Sequence, residues 1–291
     1  MTDISPAAKP AIANSTASSS PQSGLRPIRQ YGAVNSLGLW TLYKREVGRF
    51  MKVWMQTVFA PVVTTLLFMT VFKLAFGDRG RLTGDFEGLN YNDFLAPGLV
   101  IMAILQNAFQ NTSSSLVQAK FNATHVDFLM PPLSPLELTA GFLGGAITRG
   151  VIVAVISALG IQLSGLANLS VVHVWPIVWF SLTAAIILGA LGAMGGIWAD
   201  KFDHLSAVTN FVIVPLTFLS GTFYDIKVMQ EPFLTLALID PFFYMIDGFR
   251  YGFIGVANSS IVTGLWVTGV LSVLSTAAVW WMFKVGYKLK A

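Results

Sequence analysis

Long apolar runs separated by short polar segments make up most of this chain. A helix rises about 1.5 Å per residue, so about 20 apolar residues are needed to cross the hydrocarbon core of a bilayer. Such runs predict six transmembrane helices, at Trp54–Phe76, Phe94–Gln118, Leu138–Leu163, Val174–Ala199, Leu205–Thr222 and Ile261–Phe283. The predicted fold class is therefore an all-α integral membrane protein, with residues 54–291 forming a six-span domain.

Two segments of different character precede the first span. Residues 1–34 are rich in Ser, Ala and Pro and lack an apolar period, which predicts a disordered cytoplasmic tail. Residues 35–53 predict an amphipathic helix in the inner membrane surface, with its basic arc towards anionic headgroups. This helix either anchors the first span or acts as a lever against a cytoplasmic partner. Its apolar arc comprises Leu37, Trp40, Tyr43, Val47, Phe50, Met51 and Trp54, and its basic arc comprises Arg45, Arg49 and Lys52, beside Glu46.

Composition and charge agree with a membrane protein. Hydrophobic residues make up 54% of the chain and charged residues 11%, whereas soluble domains contain about 25% charged residues. Twelve of the 18 Lys and Arg residues lie on the side of the termini, five lie on the other side, and Arg149 lies within a span. The positive-inside rule therefore predicts that both termini are cytoplasmic.

Polar side chains recur along the second and fifth spans. Amides within a bilayer must either pair with neighbouring helices or face water, so the stripes indicate helix contacts or a substrate path. Arg149 lies on the same face of span 3 as Gly141 and Gly145, and small residues there, like Gly192 and Gly196 in span 4, allow close helix packing. An intramembrane charge is a functional candidate, and the alternative is a structural arginine satisfied by backbone carbonyls. The candidate path residues are Asn107, Gln110, Asn111, Ser114, Arg149, Asn210 and Thr217.

Two loops carry further signals. Between spans 2 and 3, Ala119–Phe128 predicts a short helix, and residues 134–137 (Ser-Pro-Leu-Glu) predict a capping box that opens span 3. On the outer side, Phe223–Asn258 is too broken to span and too apolar for a free loop, which predicts two short re-entrant helices divided by Pro232 and Pro241. These helices either close a cavity or lie on the surface without a gating role. The outer-gate candidates are Asp240, Tyr244, Asp247 and Arg250, of which Asp247 and Arg250 are spaced to pair on one helix face.

Other functional classes lack their usual motifs. The sequence contains no GxxxxGK[ST] phosphate loop, no HExxH zinc helix and no GxSxG elbow, so we predict no catalytic residue, no metal site and no cofactor in this chain. The absence of Cys excludes thiolate catalysis and disulfides. An ion-coupled transporter, a passive channel and a membrane-embedded enzyme remain alternatives, although the spans lack the acidic groups that ion coupling usually needs.

Four sequence blocks occur in a recognisable order: FLAPGL at residues 94–99, FLMPPLSP at 128–135, PLTFLSGTFY at 215–224 and DPFFYMIDGFRYGFIG at 240–255. In these blocks the chain resembles the ABC-2-type transport permease family of the bacterial inner membrane. The resemblance implies an elbow helix before span 1, re-entrant helices before span 6, a homodimeric pore, and a cytoplasmic pair of ATP-binding subunits that holds ATP and Mg. It does not point to a nucleic-acid partner.

The resemblance also implies a docking surface for the ATP-binding subunits. The ATP-binding subunits would dock under the loop after span 2, where we expect Lys120, Phe121, Asn122, Asp127 and Phe128 to contact them. The apolar walls with scattered amides suit an amphipathic substrate, such as a lipid-linked saccharide, a glycolipid or a hydrophobic drug. The chain is therefore expected to be the permease subunit of an ATP-driven exporter among membrane lipids.

Overall fold

The computed structural model describes residues 35–76, 82, 86–124, 127 and 130–288. The predicted disordered tail, residues 1–34, lies outside the described residues. All regular secondary structure in the described ranges is helical. Two π-helical turns interrupt the helices: the first, Met55–Phe59, leads into α2, and the second, Thr209–Ile213, joins α6 to α7. The α-helices are α1 (Ser36–Met51), α2 (Ala60–Phe76), α3 (Tyr91–Phe121), α4 (Pro135–Leu163), α5 (Val174–Trp198), α6 (Phe202–Val208), α7 (Val214–Leu219), α8 (Phe233–Ile239), α9 (Pro241–Ile254) and α10 (Ile261–Val285).

Five helical segments in the described part of the chain are long and apolar enough to cross a membrane. They correspond to the first, third, fourth, fifth and sixth predicted spans. The second predicted span lies within α3, which is 31 residues long but carries more polar side chains than the others. The five segments are Met55–Phe76, Pro135–Leu163, Val174–Trp198, Phe202–Leu219 and Ile261–Val285.

Helix α3 is the central element of the bundle, enclosed along most of its length by α4 and α5. Its side chains Leu95, Ile101 and Leu105 are fully buried. Helix α5 packs closely against it because a Cβ atom at Gly192 or Gly196 would collide with backbone carbonyls of α3. The prediction that these two glycines allow close helix packing is therefore confirmed.

Helix α1 begins at Asn35, whose side-chain oxygen accepts a hydrogen bond of 2.9 Å from the backbone N–H of Gly38. Leu42, Glu46 and Phe50 recur every four residues and form its buried face. This face packs against α4, where the glycines predicted for close contact lie directly under the side chains of α1. The sequence interpretation placed Glu46 beside the basic arc, but the carboxylate belongs to the buried face.

The apolar arc predicted for α1 is divided between the protein and its surroundings. Phe50 is completely buried, whereas Trp40 is 60% exposed and Met51 45% exposed. Helix α1 therefore has three surfaces: one against α4, one apolar and outward, and one basic. The basic surface faces a cavity that is described below.

The start of α4 follows the predicted capping box. The backbone N–H of Glu137 donates to Ser134 Oγ (3.3 Å), and Glu137 Oε2 accepts from the backbone N–H of Ser134 (2.6 Å), with Pro135 at the first helical position. The second carboxylate oxygen, Oε1, accepts a hydrogen bond from the backbone N–H of Asn35. One carboxylate therefore holds the starts of α1 and α4 together.

The segment before the last span contains the two short helices that the sequence predicts. Helix α8 follows Pro232, and α9 has Pro241 at its first position and Asp240 as its N-cap. Proline favours these positions because its ring fixes φ and it lacks an N–H to satisfy. Most side chains of α9 are buried, and they pack against α3, α5 and α10.

Candidate substrate path and coupling surface

A cavity of about 1280 Å³ opens at the end of the bundle where α3 ends and α6 begins. We call it the basic vestibule. Its walls come from α1, α3, α4 and α6 and from both π-helical turns. Among the described residues, five Lys and Arg side chains but no Asp or Glu line it. The lining residues are Thr41, Lys44, Arg45, Gly48, Arg49, Phe50, Lys52, Val53, Gln56, Thr57, Gln110, Ser113, Ser114, Gln118, Arg149, Phe202, Leu205, Ser206, Thr209 and Asn210.

Arg149 reaches the vestibule from α4 and is only 5% exposed. Its Nη2 donates to Asn107 Oδ1 (3.0 Å) and to Gln110 Oε1 (3.3 Å), while its buried Nε has no hydrogen-bond partner. Among the described residues, no carboxylate forms an ion pair with it. Side-chain amides of α3 therefore hold this guanidinium. The alternative of a structural arginine predicted backbone carbonyls as its partners instead.

Arg49 of α1 also binds the polar stripe of α3. Its Nη2 donates to the backbone oxygen of Asn111 (2.6 Å) and to Asn111 Oδ1 (3.1 Å), and its Nη1 donates to Ser114 Oγ (3.2 Å). The buried carboxylate of Glu46 lies 3.4 Å from Arg49 and accepts a hydrogen bond of 2.8 Å from Ser115. Glu46 therefore balances the charge of Arg49.

A smaller cavity of about 260 Å³ lies beside the vestibule, between α2 and α3. We call it the α2–α3 groove. Gln56 and Gln110 line both cavities, so the two spaces meet at these side chains. Most of the remaining groove walls are apolar or carry hydroxyl groups, and they comprise Ala60, Pro61, Thr64, Thr65, Phe68, Leu99, Met102, Ala103, Gln106 and Asn107.

Of the seven predicted path residues, five line these cavities and two do not. Asn107 and Gln110 line the groove, and Gln110, Ser114, Arg149 and Asn210 line the vestibule. Asn111 is completely buried beneath Arg49. Thr217 is also completely buried, and its hydroxyl donates to the backbone oxygens of Ile213 (3.0 Å) and Val214 (2.7 Å). These two residues have structural contacts because their side chains point into the helix packing.

The similarity of the chain to known proteins identifies its family. A family model described as ABC-2 type transporter matches residues 38–254. The chain belongs to the ABC-2 type transporter family. Inner membrane transport permease YadH of Escherichia coli (strain K12) is 34% identical over 259 residues, which cover 88% of this chain and 98% of that protein.

Two less similar relatives of this ABC-2 permease bear the name Nodulation protein J. Nodulation protein J of Rhizobium leguminosarum bv. viciae is 23% identical over 80% of this chain and 88% of its own length. Nodulation protein J of Sinorhizobium fredii is 22% identical over 76% of this chain and 84% of its own length. The resemblance inferred from the four sequence blocks is thus confirmed. The family is one of membrane transporters, and it implies partnership with ATP-binding subunits.

The predicted docking residues of the permease differ in environment. Lys120 is anchored, because its Nζ donates to the carbonyls of Ile197 (2.9 Å) and Ala199 (2.7 Å) at the end of α5. Phe121 is 77% exposed, and Asn122 and Asp127 are also exposed. Phe128 lies outside the described residues. Phe121 is thus the exposed aromatic side chain among the described members of this group.

The predicted short helix after span 2 begins differently in the structure. Residues 119–121 form the last turn of α3, and Ala119 is buried against α5 instead of opening a new helix. The chain turns at Ala123, which has a positive φ of 55°. The span therefore extends further than predicted because its last turn still finds apolar contacts.

Asp200, between α5 and α6, joins two chain segments. Its carboxylate accepts hydrogen bonds from Lys120 (3.1 Å) and Lys288 (3.2 Å). These bonds, that of Lys120 first, hold the pKa of Asp200 below its ordinary value. The contact connects the end of α3 with the turn that follows α10.

The outer-gate candidates form hydrogen bonds to nearby backbone groups. Asp247 is completely buried and accepts from the backbone N–H groups of Asn258 (2.9 Å) and Ser259 (2.8 Å). Arg250 donates through Nη2 to the carbonyls of Gly221 (2.8 Å) and Thr222 (3.3 Å). Among the described residues no salt bridge joins Asp247 to Arg250, and each charge instead binds backbone groups of a different loop.

The other two outer candidates cap and brace the short helices. Asp240 accepts hydrogen bonds from the backbone N–H of Phe242 (3.0 Å) and from Ser220 Oγ (2.7 Å). The hydroxyl of Tyr244 donates to the carbonyl of Leu238 (3.0 Å). These contacts hold α8, α9 and the end of α7 together.

Sequence reasoning missed the basic vestibule itself. The cations of α1 were interpreted as a membrane-facing arc, although their recurrence on one helix face was the available signal. Gln56 and Gln106, which line the groove, were not among the predicted path residues: Gln56 lies outside both polar stripes, and Gln106 precedes Asn107 but does not fit the spacing of the stripe. In the part of the chain that the structure describes, no group of three or more His, Asp or Glu side chains is placed to hold a metal ion.

Proposed function

We propose that this ABC-2 permease is the membrane subunit of an ATP-driven exporter that moves an amphipathic molecule out across the bacterial inner membrane. The observation that supports the proposal is that the basic vestibule and the α2–α3 groove are neighbouring cavities with Gln56 and Gln110 in the walls of both. A charged mouth with a largely apolar extension fits a molecule that has a polar head and an apolar tail. Lipid-linked saccharides, glycolipids and hydrophobic drugs are such molecules.

The proposed topology has six spans, with α3 as the second span and both termini in the cytoplasm. At about 1.5 Å per residue, the 31 residues of α3 extend about 46 Å, which exceeds the hydrocarbon thickness of a bilayer. Its polar stripe is compatible with this position because the stripe meets two arginines and two cavities rather than lipid. Helix α1 would lie as an elbow at the inner surface, and α8 and α9 would re-enter from outside and close the outer end.

The energy would come from a cytoplasmic pair of ATP-binding subunits, which would carry ATP and Mg. Phe121 is placed to dock them because it is exposed at the end of α3. A desolvated aromatic anchor contributes about 2 kcal/mol or more to an interface. Phe121→Ala should therefore reduce co-purification of the ATP-binding subunit, whereas Phe233→Ala, which removes an exposed aromatic side chain from α8, should not. Unchanged co-purification of the first variant would place docking elsewhere.

A second copy of the chain would complete the pore. The vestibule lies between α1 and α6 and is open to the surroundings. Both α2 and the α6–α7 segment expose large apolar side chains, including Leu67, Val71 and Phe211. We propose that the α2 and α6–α7 surfaces form the seam of a homodimer. Native mass spectrometry of the purified complex should show two permease chains, and a complex with one chain would refute the seam.

Transport by inside-out vesicles tests the whole proposal. Vesicles that contain the permease and its ATP-binding subunits should accumulate a fluorescent amphiphile when ATP is added. A variant of the ATP-binding subunit that binds but does not hydrolyse ATP is the control. Uptake driven by an ion gradient without ATP would favour an ion-coupled transporter instead, and ion flux without ATP would favour a channel.

A further inference from the structure

We infer that the basic vestibule binds the anionic group, a phosphate or carboxylate, of the transported molecule, so that the substrate is an anionic amphiphile. This inference rests on the proposed function and adds the charge of the substrate to it. The site consists of Arg149 and Arg49 at its inner wall and Lys44, Arg45 and Lys52 along α1.

The described lining of the vestibule contains no Asp or Glu that would offset Lys44, Lys52 and Arg149. Glu46, the buried carboxylate beside it, is already bound to Arg49 and Ser115. Arg149 is buried without a carboxylate partner among the described residues. An uncompensated guanidinium in a low-dielectric region is unfavourable by several kcal/mol. An anionic ligand would supply the missing charge.

The donors that remain are suited to an oxyanion. The amides of Asn107 and Gln110 occupy Nη2 of Arg149 and so orient its guanidinium, whereas the Nε atoms of Arg149 and Arg49 are buried without a hydrogen-bond partner. A guanidinium presents its donors in a planar fork that matches carboxylate and phosphate oxygens. The two arginines therefore retain hydrogen-bonding capacity that the described part of the chain does not use.

The surroundings of the vestibule support a ligand with an apolar part. Gln110, which contacts Arg149, also lines the α2–α3 groove, so a bound headgroup would lie beside a space for an acyl or prenyl chain. Both π-helical turns contribute lining residues, and such turns often occur at functional sites.

A binding experiment can test the inference directly. The permease with its ATP-binding subunits is placed in nanodiscs of phosphatidylcholine, which exclude competing anionic lipid. Calorimetric titrations use inorganic phosphate, dihexanoyl phosphatidic acid and, as the zwitterionic control, dihexanoyl phosphatidylcholine, each corrected with empty nanodiscs. We expect phosphatidic acid to bind at least about tenfold more tightly than phosphatidylcholine, which corresponds to about 1.4 kcal/mol, and added salt to reduce this preference.

Two sets of variants locate the site. Lys44→Gln/Lys52→Gln removes two exposed cations from the vestibule, and Lys201→Gln/Lys284→Gln removes two exposed cations that do not line it. The first pair should lower the affinity for phosphatidic acid by about tenfold or more and the second should leave it unchanged. Arg149→Gln should abolish the preference. These surface lysine variants keep the test valid even if replacement of the buried arginine prevents folding.

Each outcome has a defined meaning. Vestibule-dependent binding of phosphatidic acid alone assigns a lipid-type headgroup, and vestibule-dependent binding of inorganic phosphate as well assigns a free anion; both support the inference. Equal binding of the two lipids, or equal losses in the two lysine pairs, would overturn it. The inference would also be overturned if the Lys44→Gln/Lys52→Gln permease released its ATP-binding subunits but bound phosphatidic acid as before. The two lysines would then belong to a protein interface.

Failure of the inference can be told apart from failure of the proposed function. The titrations require neither ATP hydrolysis nor export. ATP-driven export of a zwitterionic amphiphile without any anion preference would contradict the anionic site alone. Anion binding to the vestibule in a protein that shows no ATP-dependent transport would contradict the exporter alone.

Discussion

Replacement of Arg250 by methionine should destabilise the outer half of the permease strongly. The side chain is only 2% exposed, and its Nη2 donates to the carbonyls of Gly221 (2.8 Å) and Thr222 (3.3 Å). The centre of its guanidinium lies 3.8 Å from the ring centroid of Phe94. One side chain thus joins α9, the loop after α7 and the first turn of α3.

The magnitude follows from these contacts. Methionine has a similar length but no donor, so two carbonyls would lose hydrogen bonds to a charged group, each worth about 1.5–3 kcal/mol. Loss of the cation–π contact removes about 2 kcal/mol more when the site is desolvated. Removal of the buried charge offsets part of this loss, because the desolvation penalty of several kcal/mol also disappears. We expect a net loss of about 3 kcal/mol, or a decrease in Tm of about 6–12 °C at about 2–4 °C per kcal/mol.

Tryptophan fluorescence of the purified protein during heating would measure the change in Tm. Lys201→Met is the matched control because Lys201 is exposed and lies at the other end of the bundle; surface substitutions usually change stability by about 0.5 kcal/mol or less. Arg250→Lys, which keeps a charge but not the planar fork, should give an intermediate Tm. A Tm of Arg250→Met within about 2 °C of the wild type would refute the structural role assigned to these hydrogen bonds.

Three further predictions test other parts of the fold. Ser134→Ala should lower stability by about 1 kcal/mol because it removes the N-cap of α4, measured as Tm against wild type. The carboxylate of Asp200 has a lowered pKa in the folded protein. Its contribution to stability should therefore be present above the ordinary pKa of 3.8 and be lost only as the pH falls through the lowered pKa. The difference in Tm between wild type and Asp200→Asn should be constant from neutral pH down to about 5 and vanish in stronger acid. Gly192→Ala should lower Tm more than Gly195→Ala, because a Cβ atom at the first position meets the backbone of α3 and at the second only ordinary side-chain contacts.

Local signals in the sequence were sufficient to predict several helix starts and most of the spans. The capping box at Ser134, the short helices after Pro232 and Pro241 and five of the predicted spans correspond to the structure. These features depend on residues within a few positions of one another, where hydrogen-bonding capacity and apolar runs decide the backbone. The end of α3 was misplaced because Ala119 belongs to an apolar cluster with Ala193 and Ile197 of α5, which lies far along the chain.

Contacts between distant segments could not be derived in the same way. The spacing of Asp247 and Arg250 puts both on one helix face, but a buried charge binds the nearest available backbone groups, and the loops that provide them come from elsewhere in the chain. The vestibule was missed for the same reason, since its cations come mainly from α1 while its other walls come from α3, α4 and α6. Amphipathicity identifies the polar face of a helix, but it does not distinguish a face towards water from one towards a cavity.

The polar stripe of α3 shows how structural and functional requirements can share one helix. Asn107, Asn111 and Ser114 hold the guanidinium groups of Arg149 and Arg49 in place, so these side chains are largely occupied. Gln110 contacts Arg149 and also lines both cavities. A molecule in the vestibule would therefore meet mainly cations that the stripe has oriented, rather than the stripe itself. Both interpretations of the stripe then apply to one site: the stripe makes the helix contacts that hold the arginines, and the arginines face the proposed substrate path.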